Sequence, residues 1–362
     1  MKIVIRAGGI GTRLWPMSRT NNPKQFQVVS GDKTMIRTTY DRVAPVLKNK
    51  DDLFLSVNEK FQDRAMSEIP EVKRDRIIIE TDTRNTGPAM CLEVCYLEKF
   101  CDAKEVIATL PSDDYISDSL AFRELLLATE EFILKNPDYI LTPAIKPNYP
   151  DTGYTYFKAG ENLQEKGEET IYAVADVVQK PNDDYCKEII NTGVYYCHTG
   201  MYLWQLGHIS GLFQKHQKKM YDICTEVVDL MVKKPGDKKI AEIYSQLEKI
   251  SVESAVTEHA EKIAMSVSNR IGWSDLGKWH VIKRVLDSGE KSNLTKGEVM
   301  VKDGDNNMIY SNTDKKIVVV NDVNDLVVID TEDVLFVSSL KNSAEVKKMV
   351  EQLKKEGKEE YL

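Results

Sequence analysis

The 362-residue sequence contains few of the residues from which disulfide frameworks and zinc sites are built. Its six cysteines are too sparse for a disulfide framework in a chain of this length, so we expect reduced thiols. Cys91, Cys95 and Cys101 lie close together in the sequence, but no histidine accompanies them, which argues against zinc. Both shortages are typical of a protein of the reducing cytoplasm.

Long apolar runs and an excess of positive charge are also missing. The apolar run before Arg6, Ile3–Ile5, is only three residues long, and no later run approaches the length of a membrane span. The 49 Lys and Arg residues are outnumbered by 57 Asp and Glu residues, giving a net charge of −8, whereas a nucleic-acid-binding protein normally presents a basic face. We therefore expect a cytoplasmic protein that binds neither nucleic acid nor membrane.

The first two-thirds of the sequence alternates between strand-like and helix-like segments. Apolar runs rich in β-branched residues predict buried strands at Ile3–Ile5, Leu53–Val57, Ile77–Ile79 and Val106–Leu110. Helix-like stretches lie between the runs, at 34–48, 59–68 and 87–100. This alternation predicts a Rossmann-like α/β fold with a mostly parallel sheet covered on both faces. Ligands of such sheets gather at the carboxyl ends of the strands.

The pattern changes near residue 290. Apolar runs at Ile317–Val320, Leu326–Ile329 and Val334–Val337 follow one another with Asn- and Asp-rich turns between them and no room for a helix. They predict a small β-helix-like coil or sandwich of short strands. We therefore place one domain at 1–289 and a second at 290–362. The apolar strands of the second domain are compatible with a homodimer.

A final helix is predicted after these strands. Asn342 and Glu345 have the spacing of a capping box, and Gly357 would end the helix. Its apolar face is predicted to comprise Val346, Met349, Val350 and Leu353.

A glycine-rich segment directly after the first strand is the strongest local signal. Glycines leaving a strand let backbone N–H groups converge on phosphate oxygens, because no Cβ blocks the approach. Leu14 stands where a dinucleotide fingerprint needs its third glycine, and no Gly-Lys-Ser/Thr of a P-loop follows. What remains is a glycine loop with Arg13 inside it and Lys24 shortly after. Two cations there suit a nucleoside triphosphate, and the alternative is a tight turn with solvated basic residues.

Two aspartates form a second candidate group. Asp113 directly follows the predicted strand Val106–Leu110, and Asp275 lies in a short polar break between apolar segments. Two such carboxylates could hold one Mg²⁺, a cation that prefers oxygen ligands and bridges phosphates. Either aspartate could instead serve in a turn or as a helix cap.

The segment Gly8–Arg19, together with Pro23–Phe26, resembles the signature of the mannose-1-phosphate guanylyltransferases, a branch of the sugar-1-phosphate nucleotidyltransferases. Further matches follow in the order of that family: Arg84–Ala89, Leu110–Asp113, Asp151–Tyr154, Lys180–Pro181 and Ile271–Trp279. The resemblance covers essentially the whole chain, including a C-terminal β-helix-like domain.

The resemblance implies Mg²⁺-dependent transfer of GMP from GTP to mannose 1-phosphate, giving GDP-mannose and pyrophosphate. It assigns Mg²⁺ to Asp113 and Asp275, the triphosphate to Arg13 and Lys24, and the sugar phosphate to Lys180. Nucleotide-binding residues are expected at Ala7, Gly8, Gly9, Gly11, Thr12, Arg13, Arg84, Asn85, Gly87, Pro88 and Ser112. Sugar-phosphate-binding residues are expected at Gly153, Tyr154, Gln179, Lys180 and His198.

Several positions depart from the pattern of that family, mostly in the sugar half of the site. The departures are Arg6, Asp114, Thr155, Gln179 and His198, which replace an apolar residue, a histidine, a small residue, a glutamate and an asparagine. They leave two alternatives. One is a nucleotidyltransferase for another hexose 1-phosphate or another nucleotide, and the other is a weakly catalytic regulatory subunit that binds nucleotide sugar. Because the expected metal and phosphate residues are all retained, we favour an active enzyme.

Overall fold

The computed structural model describes residues 1–9, 11–287, 289, 291–313 and 316–362, without the side chains of Thr12 and Ala344. The chain divides into two compact units. Unit 1 comprises Met1–Gly8, Thr39–Ser112 and Ile116–Trp273, and unit 2 comprises Gly9–Thr38, Asp113–Tyr115 and Ser274–Leu362. The predicted domain boundary after residue 289 lies beside Ser288 and Glu290, which are outside the described residues, and it stays a prediction.

Strands and helices alternate through most of the chain. The strands are β1 Lys2–Ala7, β2 Leu53–Asn58, β3 Ile77–Glu80, β4 Val106–Pro111, β5 Tyr115–Ile116, β6 Ile140–Ile145, β7 Thr155–Lys166, β8 Glu169–Gln179, β9 Tyr195–His198, β10 Tyr202–Gln205, β11 Ile263–Val267, β12 Trp273–Ser274, β13 Leu294–Lys296, β14 Val299–Lys302, β15 Met308–Ser311, β16 Val318–Asn321, β17 Leu326–Asp330 and β18 Leu335–Ser339. The α-helices are α1 Met35–Val43, α2 Gln62–Glu68, α3 Thr86–Leu97, α4 Ser119–Lys135, α5 Asp183–Asn191, α6 Leu206–His216, α7 Lys218–Lys233, α8 Lys239–Tyr244, α9 Val252–Ala255, α10 Trp279–Leu286 and α11 Val346–Lys355.

Unit 1 is built on a mixed sheet. Strands β3, β2, β1 and β4 are parallel neighbours in that order, which confirms the four strands predicted from their apolar runs. Ile3–Ile5 of β1 is completely buried, as expected for a strand covered on both faces. Beyond β4 the sheet becomes mainly antiparallel, because β10 pairs in that sense with β4 and β6, and β7 does so with β8 and β9. The α/β class is confirmed, with the parallel strands forming one part of the sheet.

Helix α3 begins shortly after the carboxyl end of β3 and anchors the segment that joins the two elements. Ten of its twelve residues are buried, which suits a segment that is apolar around its whole circumference. Asn85 lies at φ 72° and caps the helix by accepting a hydrogen bond from the Thr86 N–H at 2.8 Å. The start of α3 is thereby held next to Arg84.

Unit 2 contains the coil of short strands predicted from the C-terminal runs. Met308 of β15 pairs in parallel with Val327 of β17, and Val299 of β14 pairs with Val318 of β16. In both pairs the partner strand lies one turn of the coil further along the chain. Strand β18 departs from the coil because it returns antiparallel to β17. The β-helix-like prediction is confirmed.

The capping box predicted for the last helix is wrong. Asn342 makes no side-chain capping hydrogen bond, because a short 3₁₀ turn at Ser343–Glu345 separates it from the start of α11. Glu345 instead accepts a hydrogen bond from Lys348 Nζ at 2.6 Å. The apolar face is also narrower than predicted, since Met349 is 47% exposed. The predicted end at Gly357, which has φ 70°, is confirmed.

Candidate functional site

A buried lysine in unit 2 brings the two predicted aspartates together. Lys24 begins a 3₁₀ turn after Pro23, and its side chain is only 4% exposed. The ammonium group donates to Asp113 Oδ2 at 3.0 Å and to the backbone carbonyl oxygen of Asp275. Asp113 and Asp275 are distant in the sequence, yet both contact the same cation. A buried ammonium needs such partners, because its desolvation is otherwise costly.

Arg13 is the exposed cation of this cluster. Its side chain is 60% exposed, and Nη1 lies 3.9 Å from Asp275 Oδ2. The Gly277 N–H donates to Asp275 Oδ1 at 3.1 Å. A Cβ at Gly277 would lie 2.8 Å from Asp275 Oδ2 and 3.2 Å from Arg13 Cζ, so a larger residue would displace these two side chains. Arg13 therefore remains available to an anionic ligand, whereas Lys24 is already committed to the aspartates.

The glycine loop folds back onto Lys24. Gly11 has φ 60°, and a Cβ there would lie 2.6 Å from Lys24 Cβ. The Ser18 hydroxyl donates to the Gly11 carbonyl at 2.5 Å, and Gln25 Nε2 donates to the Gly9 carbonyl at 2.9 Å. The loop is thus anchored to the turn that carries Lys24. The side chain of Thr12, predicted to bind nucleotide, lies outside the described residues.

In unit 1, an acid that the sequence analysis missed lies beside the first glycine of the loop. Glu80 ends β3, and its Oε1 accepts from the Tyr244 hydroxyl at 3.0 Å and from the Arg84 N–H at 3.4 Å. Burial raises the pKa of the Glu80 carboxyl to about 7, although both hydrogen bonds oppose the rise. A Cβ at Gly8 would lie 2.9 Å from Glu80 Oε2. The sequence feature that could have identified Glu80 is an acidic residue directly after the predicted strand Ile77–Ile79, four residues before Arg84.

The predicted nucleotide residues around Arg84 are held by the segment that precedes α9. Arg84 donates through Nη1 to the Leu247 carbonyl at 3.3 Å and pairs with Asp82 at 2.7 Å. The Gly87 N–H donates to the Ile250 carbonyl at 2.9 Å, and a Cβ at Gly87 would lie 2.8 Å from that oxygen. Glycine is therefore needed at position 87 for this close backbone approach.

Three other residues that were predicted to bind nucleotide are buried. Pro88 is buried in the first turn of α3, and Ala7 is buried at the end of β1. Ser112 is 1% exposed, and its N–H donates to the Arg6 carbonyl at 3.0 Å. Ala7 and Ser112 therefore lie at the same edge of the sheet, because β1 and β4 are parallel.

Pairing of β7 with β8 brings four of the five predicted sugar-phosphate residues together. Thr155 pairs with Gln179, and the Lys180 N–H donates to the Tyr154 carbonyl at 3.1 Å. The Gly153 N–H donates to Asp151 Oδ1 at 2.8 Å, which shapes the turn before β7. The Tyr154 ring also packs against Trp273, with ring centroids 5.8 Å apart. Gln179 Nε2 donates to Glu258 Oε1 at 2.5 Å.

His198, the fifth predicted sugar-phosphate residue, lies in the core at the end of β9. Its ring stacks on Phe157 and contacts Tyr202, with both centroid distances 4.9 Å, and it is 8% exposed. Burial lowers the pKa of His198 to about 4, with the Arg6 charge adding to the effect and the Glu253 charge opposing it. Its Nε2 atom has no hydrogen-bond partner among the described residues. Contact with a sugar phosphate stays a prediction.

The charges of Glu253 and Arg6 both act on His198. The Tyr202 hydroxyl donates to Glu253 Oε1 at 2.7 Å, and Arg6 Nη2 donates to the Gly200 carbonyl at 3.0 Å. Glu93 on α3 is 2% exposed and accepts from the Thr109 hydroxyl at 3.3 Å. Burial raises the pKa of Glu93, and the Arg6 charge opposes the rise.

Among the described residues, no group of three or more His, Cys, Asp and Glu side chains is arranged to hold a metal ion. No α-helix within those residues is both long and apolar enough to cross a membrane.

Comparison with known proteins gave consistent matches to two domain families. A model of the nucleotidyl transferase family matches residues 2–290. A model of the MannoseP isomerase/GMP-like beta-helix domain matches residues 297–353.

Individual relatives match nearly the whole chain. The sequence is 30% identical to Mannose-1-phosphate guanylyltransferase RfbM of Salmonella typhimurium, over 99% of this chain and 73% of that protein. It is 31% identical to Alginate biosynthesis protein AlgA of Pseudomonas syringae pv. tomato, over 99% of this chain and 72% of that protein. A crystal structure from Thermus thermophilus, described as a mannose-1-phosphate geranyltransferase, matches with a TM-score of 0.83 at 26% identity, over 98% of this chain and 99% of that one.

Burial of neutral His198 predicts a pH-dependent stability. Its folded pKa of about 4 lies below the ordinary 6.5, so between these values the unfolded chain binds the proton first and stability falls as pH falls. The difference amounts to about 3 kcal/mol between pH 7.5 and 4. Urea unfolding at several pH values should show that His198→Asn lacks this component of the wild-type slope. His259→Asn, at an exposed histidine, serves as the control. Equal slopes for His198→Asn and wild type would contradict the buried neutral state.

Proposed function

Because the chain belongs to the nucleotidyl transferase family and matches mannose-1-phosphate guanylyltransferases along nearly its whole length, we propose that it transfers GMP from GTP to mannose 1-phosphate. The products are GDP-mannose and pyrophosphate. The observation that carries the proposal is the cluster in unit 2, where the Lys24 ammonium contacts Asp113 and the Asp275 backbone, and exposed Arg13 lies beside the Asp275 carboxylate.

The reaction needs alignment and charge neutralisation more than acid–base chemistry. A phosphate oxygen of the sugar phosphate, already ionised at neutral pH, attacks the α-phosphorus of GTP in line. A new P–O bond forms, the bond to the bridging oxygen between the α- and β-phosphorus breaks, and pyrophosphate leaves with that electron pair. Arg13 is accessible enough to bind the triphosphate and to stabilise the departing charge. Lys24 would act through Asp113 and Asp275, whose oxygen atoms it contacts.

The residues present fit a Mg²⁺ ion. The carboxylates of Asp113 and Asp275 are hard oxygen donors, and each already lies beside a cation, Asp113 beside Lys24 and Asp275 beside Arg13. When bound, Mg²⁺ would supply charge neutralisation to the phosphate oxygens. Asp113 is 37% exposed, so its carboxylate can be reached from solvent.

The β7–β8 hairpin supports a site for the sugar phosphate. Lys180 lies at φ 41° after β8, which directs the chain away from the strand while its N–H stays bonded to the Tyr154 carbonyl. Its ammonium group would orient the attacking phosphate. The contact made by Gln179 favours another hexose 1-phosphate. Its side-chain Nε2 donates to Glu258, which leaves the side-chain carbonyl oxygen to accept from a sugar hydroxyl group.

Glu80 is proposed to read the guanine base. Guanine presents two neighbouring donors, N1–H and the 2-amino group. Glu80 Oε1 already accepts from Tyr244 and from the Arg84 N–H, so Oε2 is the oxygen that would accept from the 2-amino group. Glu80 lies beside Gly8 and is bonded to the Arg84 N–H, within the expected nucleotide residues. Donation from a base would also relieve the cost of burying its charge.

The function is tested by measuring pyrophosphate release from purified protein with Mg²⁺, crossing GTP, ATP and UTP with mannose 1-phosphate and glucose 1-phosphate. Turnover should be highest with GTP and mannose 1-phosphate. A maximum elsewhere in the grid would make Gln179 and its neighbours determinants of a different specificity. No turnover with any pair, from protein shown to be folded by circular dichroism, would favour the regulatory alternative.

Removal of either aspartate carboxylate should abolish metal-dependent turnover. Asp113→Asn and Asp275→Asn are expected to lower kcat by about 10³-fold or more, since each removes a charged ligand. Asp275→Asn retains the backbone carbonyl that Lys24 contacts, so it should fold normally. Activity is measured against Mg²⁺ concentration, and Asp138→Asn, which breaks the exposed pair with Lys262, is the control. Near-normal turnover in both site variants would remove the metal assignment.

Substitution of Glu80 should reduce discrimination between GTP and ITP, which lacks the 2-amino group. Loss of a charge-assisted hydrogen bond predicts that Glu80→Gln lowers this preference by about 10-fold or more. The wild-type KM for GTP should also fall as pH rises from 6 to 8, because the pKa of about 7 makes the carboxylate ionise in that range. Glu169→Gln, at another buried acid of unit 1, is the matched control. An unchanged GTP preference in Glu80→Gln would exclude the base-reading role.

A further inference from the structure

The segment Trp15–Val29, which carries Lys24, is held at its first end by polar contacts within unit 2. Trp15 Nε1 donates to the carbonyl of Tyr361, which follows α11, at 2.6 Å, and Trp279 Nε1 of α10 donates to the Trp15 carbonyl at 3.2 Å. The polar contact with the C-terminal coil, the strands β13–β18 and their turns, is made by Arg19. It forms a bidentate pair with Asp333, with both N–O distances 2.6 Å. The Arg19 side chain is 13% exposed and that of Asp333 is 43% exposed, so the pair lies at the surface with its arginine largely covered.

The same segment is held at its second end by two side chains of the coil. Lys296 Nζ donates to the Val28 carbonyl at 2.7 Å, and the Tyr310 hydroxyl donates to the Val29 carbonyl at 3.2 Å. Tyr310 is 3% exposed, so its hydroxyl and the carbonyl it contacts are withdrawn from water. Lys24 lies between these two groups of contacts in the sequence.

Apolar packing joins the segment to the coil between the polar contacts. Leu14, Trp15, Met17 and Val29 share one hydrophobic core cluster with coil residues. The buried coil residues of that cluster are Met308, Tyr310, Val327 and Ile329. A close-packed contact of this kind transmits a displacement of one side to the other, because protein interiors contain few voids.

We infer that the C-terminal coil is a positioning element for nucleotidyl transfer, acting through Asp333, Lys296 and Tyr310 on the segment that carries Lys24. These three residues contact that segment rather than the cluster of Lys24, Asp113 and Asp275 itself. They fix both ends of the segment, so the Lys24 ammonium and the aspartates it contacts keep their alignment with the triphosphate. Alignment is the main catalytic requirement of a reaction without a general base, and a misplacement of about 1 Å can lower the rate by about 10²-fold. The inference rests on the proposed function.

The test compares Asp333→Asn with wild type in steady-state kinetics and in equilibrium binding of GTP. We expect kcat/KM for GTP to fall by about 10-fold, with the KM for mannose 1-phosphate unchanged, because only the triphosphate side is displaced. The double variant Arg19→Met with Asp333→Asn should be no worse than Arg19→Met alone, since the two residues act as one contact. Glu345→Gln, which breaks the exposed Lys348 pair in the same unit, is the control and should resemble wild type.

Tyr310→Phe provides an independent variant, because it removes the hydroxyl that contacts Val29 and retains the packed ring. It should also weaken GTP binding without affecting the KM for mannose 1-phosphate. Wild-type GTP affinity and kinetics in both Asp333→Asn and Tyr310→Phe would overturn the inference. Equilibrium GTP binding decides it even if wild type shows no turnover, an outcome that would count against the proposed function instead. Uniform loss of soluble protein, with normal GTP affinity in what remains folded, would also overturn the inference by showing a purely structural role.

Discussion

The buried ammonium group of Lys24 is the interaction on which the candidate site depends. A cation at 4% exposure is stable only where fixed oxygen atoms surround it, and Asp113 and the Asp275 backbone supply them. The glycine at position 11 follows from the same arrangement, because a Cβ there would collide with Lys24 Cβ. Lys24 thus constrains Gly11, Asp113 and Asp275, which come from three separate parts of the chain.

The parts of the fold that depend on local patterns could be predicted from the sequence. The buried parallel strands follow from runs such as Ile3–Ile5, and the C-terminal coil follows from its repeated apolar runs. The capping box failed because a 3₁₀ turn at Ser343–Glu345 separates Asn342 from the start of α11, and the spacing of two residues does not reveal such a turn. Met349 has the spacing of the apolar residues of α11, yet its side chain is exposed. The helix therefore buries a narrower face than its sequence pattern predicts.

The candidate site was predictable to the extent that its residues match the pattern of a known family. Glu80 was not found, because its character comes from burial and from Tyr244, which is remote in the sequence. The buried position of His198 was not found either, since an isolated histidine has no spacing from which its surroundings can be read. The pKa shifts of both residues come mainly from burial in the folded protein, which a local sequence pattern does not reveal.

Two of the departures from the family pattern, Gln179 and Arg6, interact with a charged residue of this chain. A glutamate at position 179 would place a second carboxylate beside Glu258, where like charges repel. Gln179 donates to Glu258 instead, a hydrogen bond that an ionised glutamate could not make. The Arg6 charge opposes the rise in the pKa of buried Glu93. Each of these two replacements therefore has an electrostatic partner, whereas His198 Nε2 has none among the described residues. The two contacts are compatible with the proposed activity.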